Sequence, residues 1–235
     1  MTINRLSVVI ITKDNEGSIA NAVQSGAFAD EIIVLDSDST DNTVQIAIDH
    51  GAKVHNQEWL GFGKQKNSAI KLAKNNWVFV LDSDETITQH LANEIESTLK
   101  HPKHMGYFIA RLNTFFGKQI KTCGLYPDYS VRLFDKSKAQ FSNVSVHESV
   151  QMDSPAGYLK AHMTHNAYET IDEFITKQNR YSSLHSSKRN LLKAITNPYW
   201  TFIKMYFLQR GFLDGWHGYV ISKLYAQYTF WKYIK

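Results

Sequence analysis

Residues 77–85 read Trp-Val-Phe-Val-Leu-Asp-Ser-Asp-Glu. Five apolar residues in a row, β-branched or aromatic for the most part, are the pattern of a short strand buried on both faces. Three acids follow with one serine among them. Nearer the N-terminus, 31–35 (Glu-Ile-Ile-Val-Leu) repeats the arrangement and runs into Asp36-Ser37-Asp38-Ser39-Thr40-Asp41, a turn-rich polar cluster. A third run, 6–12 (Leu-Ser-Val-Val-Ile-Ile-Thr), has the same buried-strand character. Helical stretches separate these runs. One is predicted over 16–27. A second starts at Asp41 or Asn42 as cap and runs to His50, where Gly51 stops it. A short strand at 53–56 precedes a helix over 64–74, with Ile70, Leu72 and Ala73 as buried candidates. A helix over 88–100 places Leu91, Ile95 and Leu99 on one face. Strand and helix alternate through residue 100, which predicts an α/β fold with a mainly parallel sheet. Both acidic clusters then fall at the C-terminal ends of strands, the edge where open α/β sheets bind ligands.

Beyond residue 105 the pattern loosens. Segments 107–112, 131–134 and 144–150 are strand-like. Thr170-Ile171-Asp172-Glu173 is a capping box, so a helix should begin near Ile171 and run through Tyr181 toward Ser187. Asn197-Pro198 reads as a cap with proline at the first helical position. Tyr199, Phe202, Ile203, Tyr206 and Phe207 follow at helical spacing, and another helix is expected after Asp214. The expected division is a catalytic domain over 1–165 and a helical extension over 166–235.

Composition narrows the class. Of 235 residues, 43% are hydrophobic and 20% charged, enough for a core and too apolar for a disordered chain. One cysteine, Cys123, excludes a disulfide framework and a cysteine-built metal site. Residues 1–154 carry 15 basic and 18 acidic side chains, whereas 155–235 carry 11 and 4. After Ser186, Asp214 is the only acid against eight Lys and Arg, and thirteen aromatics lie between Tyr199 and Tyr233. An acidic body with a basic, aromatic tail predicts two surfaces with different partners. Residues 1–5 are polar and the first apolar run is short, so no signal peptide is expected. No stretch reaches the roughly 20 apolar residues of a spanning helix. The expected location is cytoplasmic.

Asp82 and Asp84 flank one small residue. If the chain stays extended there, both carboxylates point one way, and a cation between them would relieve their repulsion. Oxygen ligands favour Mg²⁺ or Mn²⁺. An isolated Asp-x-Asp is more often a solvated turn; its place after a buried strand, with a second acidic loop beside it, favours function. Asp36 is the better ribose-binding candidate of its loop, and Asp41 the better helix cap.

The order Val-Val-Ile-Ile-Thr-Lys-Asp-Asn-Glu (8–16), Ile-Ile-Val-Leu-Asp-Ser-Asp-Ser-Thr-Asp-Asn-Thr (32–43), Gly-Lys-Gln-Lys-Asn-Ser-Ala (63–69) and Val-Phe-Val-Leu-Asp-Ser-Asp-Glu (78–85) resembles the inverting family-two glycosyltransferases of the GT-A fold. The resemblance implies a nucleotide-sugar donor and a divalent metal. It places Thr12, Asn15 and Glu16 at the nucleotide edge and Asp36 on the nucleoside. Lys66 and Asn67 match the basic–Asn pair of the preceding helix, and Asp82 and Asp84 the metal motif. Tyr-Ser-Val-Arg-Leu-Phe-Asp-Lys (129–136), Val-Ser-Val-His-Glu-Ser-Val (144–150), Lys-Gln-Asn-Arg-Tyr-Ser-Ser-Leu (177–184) and the tail from Trp200 to Trp216 are similar to bacterial lipopolysaccharide core β-glucosyltransferases. The Gln-x-x-Arg-Trp motif of processive synthases is absent, which argues for single-sugar transfer.

Inverting transfer needs a base for the acceptor hydroxyl. Where many relatives carry an acidic pair, this chain has His147-Glu148. Glu148 is the expected base and His147 the second candidate. Arg132, Lys66 and Lys177 are candidate donors to the leaving diphosphate. His165 resembles a histidine that completes the metal or diphosphate site, and His162 lies one turn of sequence before it. The implied partners are a UDP-sugar, a lipopolysaccharide core acceptor and an anionic membrane surface on the cytoplasmic face of the inner membrane; oligomer contact through the tail competes with the last, and no motif supports a nucleic acid. Transfer to a polyprenyl phosphate or protein, and an idle nucleotide-sugar-binding scaffold, stay open at this point.

Overall fold

The computed structural model describes residues 4–142, 149–184 and 189–235. Its strands are β1 (Leu6–Thr12), β2 (Glu31–Asp36), β3 (Lys53–Asn56), β4 (Trp77–Asp82), β5 (Glu85–Ile87), β6 (Gly106–Phe115), β7 (Lys118–Gln119), β8 (Asp128–Asp135), β9 (Ala139–Phe141), β10 (Val150–Met152) and β11 (Gly157–Tyr168). Its helices are α1 (Ile19–Ser25), α2 (Thr43–Asp49), α3 (Phe62–Leu72), α4 (Gln89–Lys100), α5 (Ile171–Leu184), α6 (Leu191–Ile203) and α7 (Trp216–Ile234). The chain divides into two compact units. One comprises Met1–Arg111 with Tyr129–His165, the other Leu112–Asp128 with Asn166–Lys235.

In the first unit the strands run in the order β3-β2-β1-β4-β8-β6-β11-β5. The block β3-β2-β1-β4 is parallel. β8 joins β4 antiparallel, and β5 joins β11 antiparallel at the far edge. Because β5 follows β4 after one tight turn yet pairs at the opposite end of the order, the sheet must curl. Continuous apolar runs are needed where both faces are covered, and alternate residues serve opposite cores. Val8, Ile10, Val34, Phe79 and Leu81 pack with Ile19 and Val23 of α1 and with Leu91, Ile95 and Leu99 of α4. Val9, Ile11, Ile33, Leu35, Val78 and Val80 face Ala69 and Ile70 of α3 together with Phe141. Each such side chain contributes about 1.5–3 kcal/mol through burial. Leu72, expected inside, is exposed, because α3 ends there and the buried stripe passes through Ala69, Ile70 and Ala73. Thr88 caps α4 by accepting the Leu91 N–H at 3.2 Å.

The second unit packs Phe115, Ile120, Cys123, Tyr168, Phe174, Met205 and Ile221 into its own core. The capping box works at one end: the Thr170 hydroxyl accepts the Glu173 N–H at 3.1 Å. The helix expected to begin at Asn197-Pro198 instead begins seven residues earlier. Asn190 caps α6, its side-chain oxygen accepting the Lys193 N–H at 2.9 Å, and Pro198 lies inside the helix. A cap one turn and more upstream outweighs the local proline signal, and the missing Pro198 N–H leaves out one intrahelical bond to Ala194. After α6 the chain continues as a π-helical turn, Lys204–Leu208, and a 3-10 turn, Gly211–Asp214. α7 then returns antiparallel to α6: the Asn190 N–H donates to the Tyr233 carbonyl at 3.2 Å, and the Thr201 and Thr229 hydroxyls lie 3.3 Å apart.

Gly218 lets α7 approach Gly211 closely; a Cβ there would lie 1.8 Å from the Gly211 carbonyl oxygen. Gly218→Ala is expected to lower stability by about 1–3 kcal/mol, read as a fall in Tm. Gly17→Ala, where nothing lies within 4 Å, should leave Tm unchanged.

Candidate functional site

The parallel block supplies the geometry. β1 is flanked by β2 on one side and β4 on the other, so the chain reverses direction across the sheet between β1 and β4. That crevice is where ligands bind in open α/β sheets. Register places Thr12 beside Asp36 and Ile11 beside Asp82, so three adjacent strands end together. Thr12 is 4% exposed, and its hydroxyl is the single buried side-chain polar atom without a hydrogen-bond partner among the described residues.

The loops after β1 and β2 hold each other. Asp14 Oδ1 accepts the Thr40 N–H at 2.7 Å, and the Ser39 hydroxyl accepts the Asp14 N–H at 2.8 Å. Asp36 is buried and accepts the Ser39 N–H at 2.9 Å. Glu16 accepts the Asn42 N–H at 3.1 Å while its own N–H donates to Asp41 at 3.1 Å. The Asn15 N–H donates to the Thr43 hydroxyl at 2.7 Å. Asn15, Glu16 and Asp36 thus lie at the C-terminal ends of β1 and β2, next to Thr12, the last residue of β1.

Asp82 closes the next strand. The chain turns at Ser83-Asp84 instead of staying extended, so the two aspartates serve different partners. Asp82 Oδ1 lies 3.0 Å from Lys66 Nζ, and Oδ2 lies 3.2 Å from the Arg132 guanidinium. Arg132 also donates to Glu85 Oε1 at 2.7 Å, to the Val80 carbonyl at 3.4 Å and to the Ser130 hydroxyl at 3.0 Å. Glu85 takes a second cation, Arg111 at 3.2 Å, and the Asp82 N–H at 3.0 Å. Burial works against the Asp82 charge, but Arg132 and Lys66 overcome it and hold the carboxyl well below the usual carboxylate range. Burial pushes the Glu85 carboxyl up; Arg132 opposes this, Asp82 reinforces it and Arg111 opposes it again. Burial likewise opposes the Arg132 charge, yet Glu85 and Asp82 hold its pKa above the ordinary value.

Asp84 faces the neighbouring strand. His165 sits opposite Glu85 in the β11–β5 pairing, and its Nε2 is 3.3 Å from Asp84 Oδ2. Among the described residues no group of three or more His, Cys, Asp or Glu converges as a metal-holding set. The pair itself fits a divalent ion. In an octahedral shell with bonds near 2.1 Å, neighbouring ligands lie about 3 Å apart, and Mg²⁺ ordinarily takes one or two protein ligands with water and phosphate oxygens completing the set. Both Asp82 oxygens face cations, so Asp82 stands beside that pair.

Asn67 serves the chain. Its amide donates to the Phe141 carbonyl and accepts the Phe141 N–H, both at 2.9 Å. Beyond Phe141, the Ser142 N–H donates to the Ser149 carbonyl at 2.9 Å. His147 and Glu148 lie outside the described residues. His162 lends its carbonyl to the Thr88 hydroxyl at 2.7 Å. Lys177 belongs to the second unit, with Nζ 5.2 Å from the Tyr168 ring centroid. Glu85 and Arg111 were missed as functional candidates. The available signal was the strand alternation that turns Glu85 inward; an acid on a buried face requires cations, and Arg111 and Arg132 occupy later strands.

Residues 7–141, more than half the chain, match the sequence profile of Glycosyl transferase family 2. The chain belongs to that family. It is similar to an uncharacterised glycosyltransferase of Rickettsia typhi, 32% identical over 242 residues that cover 94% of this chain and 83% of the relative. It is also similar to the lipopolysaccharide core biosynthesis glycosyltransferase LpsC of Rhizobium meliloti, 27% identical with coverage of 96% and 89%. Among solved structures, S. aureus TarS 1–349 in complex with UDP-GlcNAc superposes with a TM-score of 0.52 at 16% identity, covering 93% of this chain and 79% of that one. The protein is thus a family 2 glycosyltransferase with a GT-A-like sheet and a helical C-terminal region.

Removing one member of a buried ion cluster strands the others, at about 3–5 kcal/mol. Arg132→Met and Glu85→Gln should each destabilise the glycosyltransferase on that scale in urea denaturation. The double variant should cost less than the two added together, since each removes the other's uncompensated partner.

Proposed function

We propose that this glycosyltransferase transfers a hexose, glucose or a close relative, with inversion, from a UDP-sugar to the inner core of lipopolysaccharide on the cytoplasmic face of the inner membrane. The observation that carries the donor half is the pairing of Asp84 with His165 beside the clamped Asp82, at the same sheet edge as the orphan Thr12 hydroxyl. The relationship to LpsC supports the acceptor. TarS, which shares the fold, holds UDP-GlcNAc, and that supports a uridine donor.

In this reading the loops around Asn15, Glu16 and Asp36 form the nucleoside rim, and Thr12 gains its partner from the bound nucleotide. Asp84 and His165 would hold a divalent ion, Mg²⁺ or Mn²⁺, which would supply Lewis-acid stabilisation of the leaving diphosphate. Lys66 and Arg132 fix Asp82 and add positive potential beside the departing charge. Glu148 takes the proton from the acceptor hydroxyl as that oxygen attacks the anomeric carbon. The bond from that carbon to the UDP oxygen breaks on the opposite face, and the configuration inverts.

A panel of nucleotide sugars offered with purified truncated lipopolysaccharide, read by mass spectrometry, is expected to show one added hexose from a UDP donor. Folded protein that binds UDP and transfers nothing to any core acceptor would reject the proposal. Glu148→Gln should lower kcat by roughly 10²–10⁴-fold with donor KM little changed. Asp84→Ala and His165→Ala should raise the Mn²⁺ concentration needed for half-maximal turnover.

A further inference from the structure

The second unit carries a surface that its own core leaves uncovered. Along α6, Leu191, Leu192, Ile195, Tyr199 and Ile203 recur at helical spacing and are all exposed, Leu191 at 77% and Tyr199 at 71%. The following turns continue the surface with Phe207, Leu208, Phe212 and Leu213, and α7 adds Trp216 and Tyr219. The buried positions of the hairpin are mostly small, Ala194, Gly211, Gly218, Ser222 and Ala226, with Met205 and Ile221 as the larger ones. Many large apolar side chains outside and mostly small ones inside is unlike the usual amphipathic helix of a soluble core.

Two further features say what covers this face. Arg189, Lys193, Lys204, Arg210 and Lys223 are exposed along the same elements. The only acid from residue 189 onward is Asp214, and it is engaged by Lys118 at 3.0 Å and by the Thr122 hydroxyl at 2.6 Å. A second copy of the chain would bring like charges together across this face, whereas an anionic bilayer complements them. Between α6 and α7 runs an open groove of about 410 Å³, lined by Ile195, Pro198, Tyr199, Phe202, Ala226 and Phe230. Lys223 stands on its wall, with Nζ 5.1 Å from the Phe202 ring centroid. No helix among the described residues is long and apolar enough to cross a membrane.

We propose that the α6–α7 hairpin is an in-plane membrane anchor for anionic phospholipid. The face from Leu191 to Tyr219 enters the headgroup–acyl boundary, one acyl chain occupies the groove, and Lys223 meets the phosphate above it. The proposal rests on the membrane location given above and names the surface and the lipid that realise it.

The test uses the full chain with vesicles of phosphatidylglycerol and phosphatidylethanolamine, and with neutral phosphatidylcholine vesicles, by flotation. Binding is expected to the anionic vesicles and to weaken as salt is raised. Tryptophan emission should be quenched by brominated acyl chains. Because the replaced side chains are exposed, Leu192→Ser/Trp200→Ser/Leu208→Ser should keep the wild-type circular dichroism and Tm and lose at least tenfold in partitioning. Lys223→Glu should lose affinity for anionic vesicles only. Equal binding of the folded triple variant, or equal binding to neutral and anionic vesicles, overturns the proposal. So does a concentration-dependent dimer that the triple variant abolishes while wild type ignores lipid. Donor hydrolysis in membrane-free solution separates the two readings: lost anchoring with intact hydrolysis rejects this inference alone, and lost hydrolysis with intact anchoring rejects the transferase reading alone.

Discussion

Asp82 is a partly buried carboxylate whose two oxygens Lys66 and Arg132 grip. Each ion of such a cluster costs several kcal/mol to take out of water, and each close opposite pair returns about 4 kcal/mol at an effective dielectric near 20. The sum is near balance, so the cluster adds little net stability. What it adds is position. Lys66 comes from α3, Arg132 from β8, Glu85 from β5 and Arg111 from the middle of β6. Four elements are therefore tied to one turn, and that turn is left with a single geometry. Asp84, on the outer side of the same turn, is brought to His165 as a consequence.

The same economy governs the rim. Asp14 and Glu16 accept backbone N–H groups from the loop after β2, Asp41 accepts one from the loop after β1, and Asp36 accepts one within its own loop. Acids at a strand edge read as ligand-binding groups, yet here most of them order the loops that would receive the ligand. The unsatisfied group is the smallest one, the Thr12 hydroxyl. A buried hydroxyl without a partner costs about 1–3 kcal/mol, a cost that a bound nucleotide would relieve. Loops that hold each other around one unsatisfied hydroxyl suit a site that is formed before its ligand arrives.

The first hundred residues were legible because parallel strands covered on both faces leave an unbroken apolar signature; β1, with all seven residues buried, has the bounds its sequence announces. Farther on, strands such as β8 and β11 pair antiparallel and are buried only in part, so their pattern fades. The Asp82–Asp84 convergence expected from an extended chain failed at a turn of two residues, which no side-chain period reveals. Glu85 was hidden for another reason. Its meaning depends on Arg111 and Arg132, 26 and 47 positions later, and sequence spacing does not disclose that three strands will meet. Asn197-Pro198 misleads because the cap that acts, Asn190, lies seven residues upstream and the helix runs through the proline.

Charge and hydropathy divide the chain more sharply than its elements do. In the first unit the strands bury their apolar side chains on both faces, and one cluster of acids lies at the C-terminal sheet edge. In the second, Gly211 and Gly218 bring backbones into close contact, and Tyr199 and Trp200 of α6 and Trp216 and Tyr219 of α7 are exposed. A soluble surface would replace such residues with charge at no cost to that core. A contiguous apolar face of this extent requires a cover, and with Asp214 already bound to Lys118 the charges left around that face are all positive. The physical demand of the second unit is therefore for a surface both apolar and anionic, which a protein partner supplies rarely and a phospholipid leaflet supplies everywhere.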